Sequence, residues 1–297
     1  MVKWRYGRRS VGELLFDGFN VILLAAVSIA CAYPFVYVLF ASMSDPGLLL
    51  QHRGVLLGPT RIDFEAYRMV LLDPGIGRGY ANTVFVVFFG VLYNVTLTAF
   101  GAYALSRRKL MLKKLFIFMI IIPLYVQGGL VPTYLNVRQL GMFNTLAALI
   151  IPSGISTTSL IVMRTNFAAI PDALEEAAKI DGANDIFILV RIVLPLSLPI
   201  LAVMVLFYGV GHWNSWFPAS IYLQDRRKFP LQLILRQILL QNSTQRMTID
   251  GLMTEKALYA ETVKYATTIV ATLPLIVAYP FLQRYFVKGL LVGSLKG

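Results

Sequence analysis

Charged residues are absent from six long stretches of the chain, and apolar residues follow one another there without the alternation of a half-buried strand. A helix needs about 20 apolar residues to cross the hydrocarbon core of a bilayer, and each stretch reaches or nearly reaches that length. Lipid offers the backbone no hydrogen-bond partners, so continuous runs favour spanning helices over the alternating strands of a barrel. The stretches are Gly18–Ser44, Gly79–Ser106, Leu115–Val137, Gln139–Met163, Ile192–Gln224 and Tyr265–Gln283.

This pattern predicts an all-α integral membrane protein with six transmembrane helices, in a single domain over residues 1–297. The composition agrees, because 57% of the residues are hydrophobic and 14% are charged, whereas soluble domains carry about a quarter charged residues. The first apolar run continues to Phe40, too far for a signal peptide, and is therefore predicted to be retained. We expect the helices at about residues 15–42, 80–105, 115–135, 145–164, 192–216 and 265–284.

The distribution of Lys and Arg predicts the orientation of these helices. Five cations lie between Arg107 and Lys114, in a very short loop, and such clusters stay on the cytoplasmic side. Both termini are then cytoplasmic, residues 165–191 form a cytoplasmic loop, and residues 45–78 and 218–264 form outer loops. Inner-loop cations facing anionic lipid also account for the net charge of +12.

Two further local predictions concern Cys31 and the second outer loop. Cys31 is the only cysteine, which excludes an internal disulfide, and we expect it to pack within the membrane. Apolar residues recur at helical spacing over Phe229–Leu240, with Pro230 suited to a first turn. The resulting amphipathic helix has two open interpretations: it lies on the outer surface or a partner, or it packs against its own bundle.

The cytoplasmic loop 165–191 carries signals of an ordered element. Pro171 is placed to start a helix, and Glu175 can pair with Lys179 one turn later while facing solvent. Gly182 suits the left-handed turn that ends a helix, and Asn184 can cap a second helix. We expect that second helix to be interrupted before Pro195. Such a short helix with a glycine corner indicates a docking element.

The same residues carry a family resemblance. Glu176-Ala177-Ala178, three residues, Gly182, nine residues and Ile192-x-Leu194-Pro195 resemble the EAA signature of membrane subunits in binding-protein-dependent ABC importers. The C-terminal Gln283–Leu290 and Gly293–Gly297 resemble the carbohydrate-uptake branch, which includes the maltose importer. Within that branch, Gly128–Tyr134, His212–Trp216 and Pro230–Gln232 resemble the subgroup that takes up oligosaccharides, including acidic ones such as alginate.

The resemblance implies a type I, maltose-importer-like permease fold in the bacterial inner membrane. It implies that the EAA loop is a coupling helix seated in a groove of a cytoplasmic ATPase dimer, with Glu176 facing basic residues of that subunit. Ala177 and Ala178 would make the close contact, Gly182 would shape the turn, and Ile192, Leu194 and Pro195 complete the signature. The further partners implied are a second permease subunit, forming a heterodimer, and an external solute-binding protein.

The chain has no recognisable motor or catalytic site of its own. A phosphate-binding G-x-x-x-x-G-K-[ST] loop is missing, and the sequence contains two histidines and one cysteine. We therefore expect a transporter subunit rather than an enzyme, without cofactors, while ATP and Mg²⁺ bind the partner ATPase. The alternative is a self-sufficient secondary transporter or channel for a small polar solute. The uncharged membrane runs argue against that alternative, because such proteins use intramembrane charges.

The substrate path would be built from neutral polar and aromatic side chains, which suit sugars. Pro123, Pro132, Pro152 and Gly128-Gly129 are expected to interrupt helices three and four, and irregular backbone at membrane depth usually lines a cavity. Packing between helices and an outer aromatic belt are the competing interpretations. The candidate path residues are Tyr93, Asn94, Tyr125, Gln127, Ser153, Thr157, Trp213 and Asn214.

Overall fold

The computed structural model describes residues 11–107, 110–126, 128–248 and 255–294. Within this part of the chain the regular structure is helical, apart from one isolated antiparallel bridge between Ser44 and Ile62. The prediction of an all-α chain is therefore confirmed for the described residues.

The described part of the chain is a succession of helices of very different lengths. In chain order they are α1 (Val11–Ser42), α2 (Pro46–Gln51), α3 (Glu65–Leu72), α4 (Pro74–Ser106), α5 (Lys113–Tyr125), α6 (Leu130–Gln139), α7 (Ala147–Ile150), α8 (Thr157–Ala168), α9 (Asp172–Ile180), α10 (Asp185–Ile188), α11 (Leu194–Leu196), α12 (Leu198–Trp213), α13 (Trp216–Tyr222), α14 (Leu231–Thr248) and α15 (Glu255–Ser294). Short 3₁₀ turns cover Ile151–Ser153 and Arg226–Lys228, and a π-helical turn covers Leu189–Val193.

Among the described residues, three continuous helices are long and apolar enough to cross a membrane: Val11–Ser42, Pro74–Ser106 and the segment Tyr259–Pro280 of α15. Three more candidate spans are helix pairs with a bend between them, which brings the total to as many as six. Residues 147–153 and α8 are bent by 53°, and residues 185–196 and α12 by 88°. The third pair is α5 and α6, so the interruptions expected at Gly128-Gly129 and near Pro152 are confirmed. Pro123 and Pro132 do not interrupt the helices as expected, because Pro123 lies within α5 and Pro132 in the first turn of α6.

The interruption in the fifth span lies elsewhere than predicted. The helix runs through Pro195 to Leu196 and breaks at Ser197, so the break expected before Pro195 is wrong. The π-helical turn explains the difference, because the Leu194 N–H bonds to the Leu189 carbonyl, five residues back. This wider turn makes room for the proline ring and accommodates its missing N–H. The backbone N–H of Ser197 then closes the helix on the carbonyls of Val193 and Leu194, at 3.0 and 3.1 Å.

The chain divides into two compact units, of which the first comprises residues 1–70 and 242–270. Ala41, Leu49 and Leu56 form its buried apolar cluster, and the Leu56 N–H donates to the Tyr33 hydroxyl at 2.9 Å. Most of α1 before residue 33 is exposed, including Cys31, so the expected packing of Cys31 is not made within the described chain.

The second unit, residues 71–241 and 271–297, contains the main core. Helix α4 packs against α8 and α12 over much of its length. Buried side chains of these helices, of α10 and of the π-helical turn form one cluster, which includes Tyr103, Phe167, Ile188 and Met204. The core therefore joins the membrane helices directly to the segment that follows the EAA loop.

Helix α14 packs on its own bundle, as the second interpretation of the amphipathic segment predicted. Its residues Leu231, Leu233, Ile234 and Leu235 are buried. The Leu231 N–H donates to the Thr83 hydroxyl of α4 at 2.9 Å. The loop before α14 is held to α4 as well, because the Asn82 amide donates to the Arg227 and Phe229 carbonyls.

Candidate coupling site

Helix α9 carries the Glu-Ala-Ala triplet and is nine residues long. It follows Pro171 directly, as predicted, and has Asp172 and Glu175 in its first turn with Lys179 in its last turn. Acids near the N-terminus and a cation near the C-terminus both oppose the charges of the helix dipole. These charges therefore stabilise α9, which has only nine residues.

A Schellman corner ends α9. The Ala183 N–H donates to the Ala178 carbonyl at 2.9 Å, and the Gly182 N–H donates to the Lys179 carbonyl at 3.0 Å. Gly182 has a φ of +81°, the left-handed conformation that this motif requires at its position. The prediction of a glycine corner is confirmed.

The chain re-enters the core immediately after this corner. The Asn184 side chain caps α10 by accepting from the Phe187 N–H at 2.8 Å, as expected. Ile188 and Leu189 are then fully buried in the main core. Among the remaining residues of the signature, Ile192 and Leu194 pack partly against the same core, whereas Pro195 is exposed.

An ion cluster ties α9 to its neighbours. The Glu175 carboxylate accepts from the Arg107 guanidinium at the end of α4 and from the Lys179 ammonium at 2.9 Å. Lys179 also pairs with Asp185 at 3.2 Å, across the glycine corner. The Glu175–Lys179 pair is as predicted, but Glu175 does not face solvent, since only 15% of its side chain is exposed.

Both partners of the Glu175–Lys179 pair have shifted pKa values. Burial raises the pKa of Glu175, but hydrogen bonds from Lys179 and Arg107 outweigh it, so the pKa lies below the usual range. Hydrogen bonds to Glu175 and Asp185 raise the pKa of Lys179. A lowered carboxyl pKa adds stability that is lost only as the pH falls through the folded-state value, and a raised lysine pKa adds stability lost only at high pH. Both groups are therefore charged around neutral pH.

A cavity of about 630 Å³ separates part of α9 from the end of α4. Phe100, Tyr103 and Leu189 line its apolar side, and Arg107, Glu175 and Lys179 line its polar side. The Tyr103 hydroxyl is buried without a hydrogen-bond partner in the described chain. Because the backbones are apart here, charged side chains carry much of the connection between α9 and α4.

Part of α9 is open to solvent, including Glu176, which also lines the cavity. Glu176 and Ala177 are exposed, and Ala178 is half-buried. Within the described chain no hydrogen bond or ion pair involves Glu176. Ile180, at the end of the helix, is 86% exposed. This open part of the helix therefore presents a free carboxylate beside a small side chain and a large apolar one.

A second polar cluster lies at the break between α7 and α8. Asn94 of α4 is fully buried, and its amide donates to the carbonyls of Ser153 and Gly154 at 2.6 and 2.9 Å. Its oxygen accepts from His212 Nε2 of α12 at 2.6 Å, with His212 as the donor because that oxygen is only an acceptor. The cluster satisfies backbone groups that the break leaves unpaired.

Tyr208, one turn before His212 on α12, makes a similar contact to the break between α7 and α8. Its hydroxyl shares a hydrogen bond with the Thr98 hydroxyl at 2.7 Å and accepts from the Ser156 N–H at 3.1 Å. Helices α4 and α12 thus hold both sides of the break.

The remaining path candidates do not converge on one cavity in the described chain. Tyr125, Ser153 and Asn214 are exposed, while Tyr93 and Thr157 are half-buried. Trp213 is buried, and its indole N–H donates to the Ala271 carbonyl at 3.2 Å. Gln127 lies outside the described residues. No group of three or more His, Cys, Asp or Glu in the described part of the chain is placed to hold a metal ion.

Two important side chains had no clear signal in the sequence. In the sequence, His212 stands out as one of two histidines and as part of the His212–Trp216 resemblance, and Arg107 as a marker of orientation, but neither pattern points to a partner. Their partners, Asn94 and Glu175, lie 118 and 68 residues away along the chain. A polar residue in an otherwise apolar run was the available hint for His212, since buried polar groups need partners.

Comparisons with known proteins agree with this architecture. Residues 94–292 match the family described as "Binding-protein-dependent transport system inner membrane component". The chain is 37% identical over 283 residues to the polygalacturonan/rhamnogalacturonan transport system permease protein YtcP of Bacillus subtilis (strain 168), covering 95% of this chain and 99% of that protein. It is 31% identical over 288 residues to the melibiose/raffinose/stachyose import permease protein MelC of the same organism, covering 94% and 97%.

Solved structures give the same result. A chain from the crystal structure of a bacterial ABC transporter involved in the import of the acidic polysaccharide alginate superposes with a TM-score of 0.86 at 32% identity, over 94% of this chain and 99% of that one. The type I permease fold implied by the EAA resemblance is thereby confirmed. These relatives are permease subunits rather than enzymes. The chain belongs to the family of inner membrane components of binding-protein-dependent transport systems, as a permease subunit of an ABC transporter.

Proposed function

We propose that the chain is the membrane-spanning subunit of an ATP-driven importer that passes carbohydrate into the cytoplasm. The observation that carries this proposal is α9, a helix fixed by a Schellman corner and internal ion pairs while Glu176 and Ala177 stay exposed. A helix fixed in this way transmits a displacement to the core, whereas a solvated loop absorbs it.

The complete importer then contains this chain, a second permease subunit, a cytoplasmic ATPase dimer that binds ATP and Mg²⁺, and an external solute-binding protein. Membership of a binding-protein-dependent family supports the last of these partners. The protein lies in a bacterial inner membrane with both termini in the cytoplasm. In this orientation α9 faces the ATPase.

Glu176 is proposed to dock against basic residues of the ATPase. Its carboxylate carries no internal partner in the described chain, so it is available to an external cation without breaking an existing contact. Glu175 is unsuitable for this role, because Arg107 and Lys179 already occupy its carboxylate. Ala177, beside Glu176, lets the groove approach the helix closely.

An oligosaccharide with acidic sugars is the proposed substrate. Two similar proteins take their names from acidic polysaccharides, although another is named for neutral oligosaccharides. Arg226 and Arg236 are exposed in the predicted outer loop 218–264, and Arg138 is exposed between the third and fourth predicted spans, which the same topology puts outside. Cations there favour the approach of an anionic ligand. We propose that the exposed candidates Tyr125, Ser153 and Asn214 contact it. Asn94 and Trp213, which are buried and donate to backbone carbonyls, are proposed to support the helices instead.

The test uses the reconstituted importer with variants of Glu176. Removing one charge-assisted contact costs roughly 1.5–3 kcal/mol, so Glu176→Ala should weaken ATPase association about tenfold or more. Glu176→Lys should weaken association further, because it places a cation against a basic groove. Co-purification of the ATPase and transport of labelled oligogalacturonate measure the two effects, and the carboxyl-reduced oligosaccharide tests the preference for charge.

Asp181→Lys is the matched control. It makes the same charge change in the same loop, at another exposed acid that α9 does not place on the Glu176 face. This variant should associate and transport much as the wild type does. Normal assembly and transport by Glu176→Lys would show that the proposed coupling role is wrong.

A further inference from the structure

Arg107 joins three elements at the cytoplasmic end of α4. Its Nε donates to the Ser106 hydroxyl at 2.9 Å, and its guanidinium donates to the Phe167 carbonyl near the end of α8 at 3.4 Å. The guanidinium lies 4.6 Å from the centre of the Tyr103 ring and binds the Glu175 carboxylate of α9. Only 18% of the side chain is exposed. A fork-shaped cation with this many partners has little freedom to reorient.

The backbone around Arg107 is held as well. Lys113, at the start of α5, donates its ammonium to the Arg107 carbonyl at 2.9 Å and to the Ser106 carbonyl at 3.3 Å. The end of α4 therefore cannot shift without disturbing α5, α8 and α9 together.

From Arg107, helix α4 runs back along α8 and α12, against which it packs. Further along it, Asn94 binds the backbone at the break between α7 and α8 and also binds His212 of α12. A displacement of α4 along or around its axis consequently reaches both broken spans. Such an element, packed against several others, is the kind through which one site influences another.

We propose that Arg107 and Glu175 form a positioning pair that makes α9 move as one body with α4. Without the pair, α9 would remain docked on its partner but would rock across the adjoining cavity, and its displacement would not reach α4. This inference rests on the proposed coupling function and assigns to Glu175 and Arg107 a role separate from docking by Glu176.

Lys179 has a different part in the cluster. It joins Glu175 to Asp185 across the glycine corner, so it stiffens the loop itself rather than connecting the loop to α4. Half of its side chain is exposed, in contrast to Arg107. Lys179→Met should therefore have a smaller effect on coupling than either member of the positioning pair.

The experiment is a double-mutant cycle in the reconstituted importer, with Arg107→Ala, Glu175→Gln and the double variant. ATPase association, sugar-stimulated ATP hydrolysis and sugar transported per ATP are measured for each. Each single variant should keep its ATPase but lose transport per ATP by roughly tenfold, within the 5- to 150-fold range of typical couplings. The double variant should be no worse than the singles, because both changes remove one contact.

Arg107→Lys keeps the positive charge but lacks the several donor groups of the guanidinium. Its sugar transport per ATP should lie between that of the wild type and that of Arg107→Ala. Arg68→Ala is the matched control, since it removes an exposed Arg–Glu pair, with Glu65 at 3.5 Å, elsewhere in the chain. It should transport normally.

Three results would overturn the positioning role: normal transport per ATP in both single variants, additive losses in the double variant, or loss of ATPase association in Arg107→Lys. The last would assign the pair to docking or folding instead. A different failure, absence of ATP-dependent transport in the wild-type assembly, would remove the proposed function and this inference with it.

Discussion

Gly182 sets the direction in which the chain leaves α9, the proposed coupling helix. Its φ of +81° is available to glycine at little cost, and a β-branched residue there is strained by about 1–3 kcal/mol. A side chain at this position would meet no atom within 4 Å, so the expected effect is conformational rather than steric. Gly182→Val should therefore reduce ATPase association and transport while the subunit still inserts in the membrane.

Gly182→Asn provides the control for this prediction, because asparagine adopts the left-handed conformation far more readily than valine. It should retain most of the association that Gly182→Val loses, as measured by co-purification of the ATPase. Equal loss in the two variants would indicate that the corner needs the absence of a side chain rather than a positive φ.

At this scale the sequence predicted what depends on neighbouring residues. Gly182 and Asn184 make hydrogen bonds only with residues a few positions away, so the sequence alone predicts the turn and the helix cap that they form. Glu175 was misjudged because Arg107, its second partner, comes from the far end of another helix. Which of two adjacent glutamates is free and which is paired depends on packing that no local pattern specifies.

Among the elements, α4 depends on a close approach to α12 at Gly90. A Cβ atom at this position would lie 2.4 Å from His212 Nε2, the nitrogen that donates to Asn94. Gly90→Ala should displace the imidazole, weaken the polar cluster at the α7–α8 break and cost about 1–3 kcal/mol of stability. The melting temperature of the purified subunit in detergent should therefore fall by several degrees.

Gly211→Ala is the matched control on α12, next to His212, where an added Cβ would meet nothing within 4 Å. An alanine in a helix interior is favoured over glycine by roughly 0.5–1 kcal/mol, so this variant should melt at the same temperature or slightly higher. If both alanine variants melt alike, the His212 contact does not stabilise the break.

The breaks in the spans were predictable where proline or glycine interrupts a helix in the usual way. Gly128-Gly129 and Pro152 lie at observed interruptions. Pro195 does not, because the π-helical turn before it depends on how Leu189 and Val193 fill the core. The sequence also left two interpretations of α14 open, because an apolar helix face can pack on a partner or on its own bundle. The packing of α14 against α4 supports its own bundle.

On the scale of the whole molecule, two polar clusters lie along the C-terminal half of α4. One ties α9 to the end of α4 through Arg107, and the other holds the break between α7 and α8 through Asn94. The apolar runs of the sequence predicted the candidate membrane spans, because lipid requires apolar residues along a helix that crosses it. The sequence did not predict the link between the clusters, since that link consists of tertiary contacts along a helix that looks uniformly apolar.

Orientation is the remaining property of the whole molecule that the coupling proposal requires. The cations of residues 107–114 predict it, because such clusters favour the cytoplasmic side. Leu57 in the first predicted outer loop and Ile180 at the end of α9 are 83% and 86% exposed, so cysteines at these positions are predicted to differ mainly in the side of the membrane they face. In a Cys31→Ser background, an impermeant maleimide should label Leu57→Cys in right-side-out vesicles. Ile180→Cys should react only after permeabilisation, and labelling of Ile180→Cys from outside would reverse the orientation and exclude docking of α9 on a cytoplasmic ATPase.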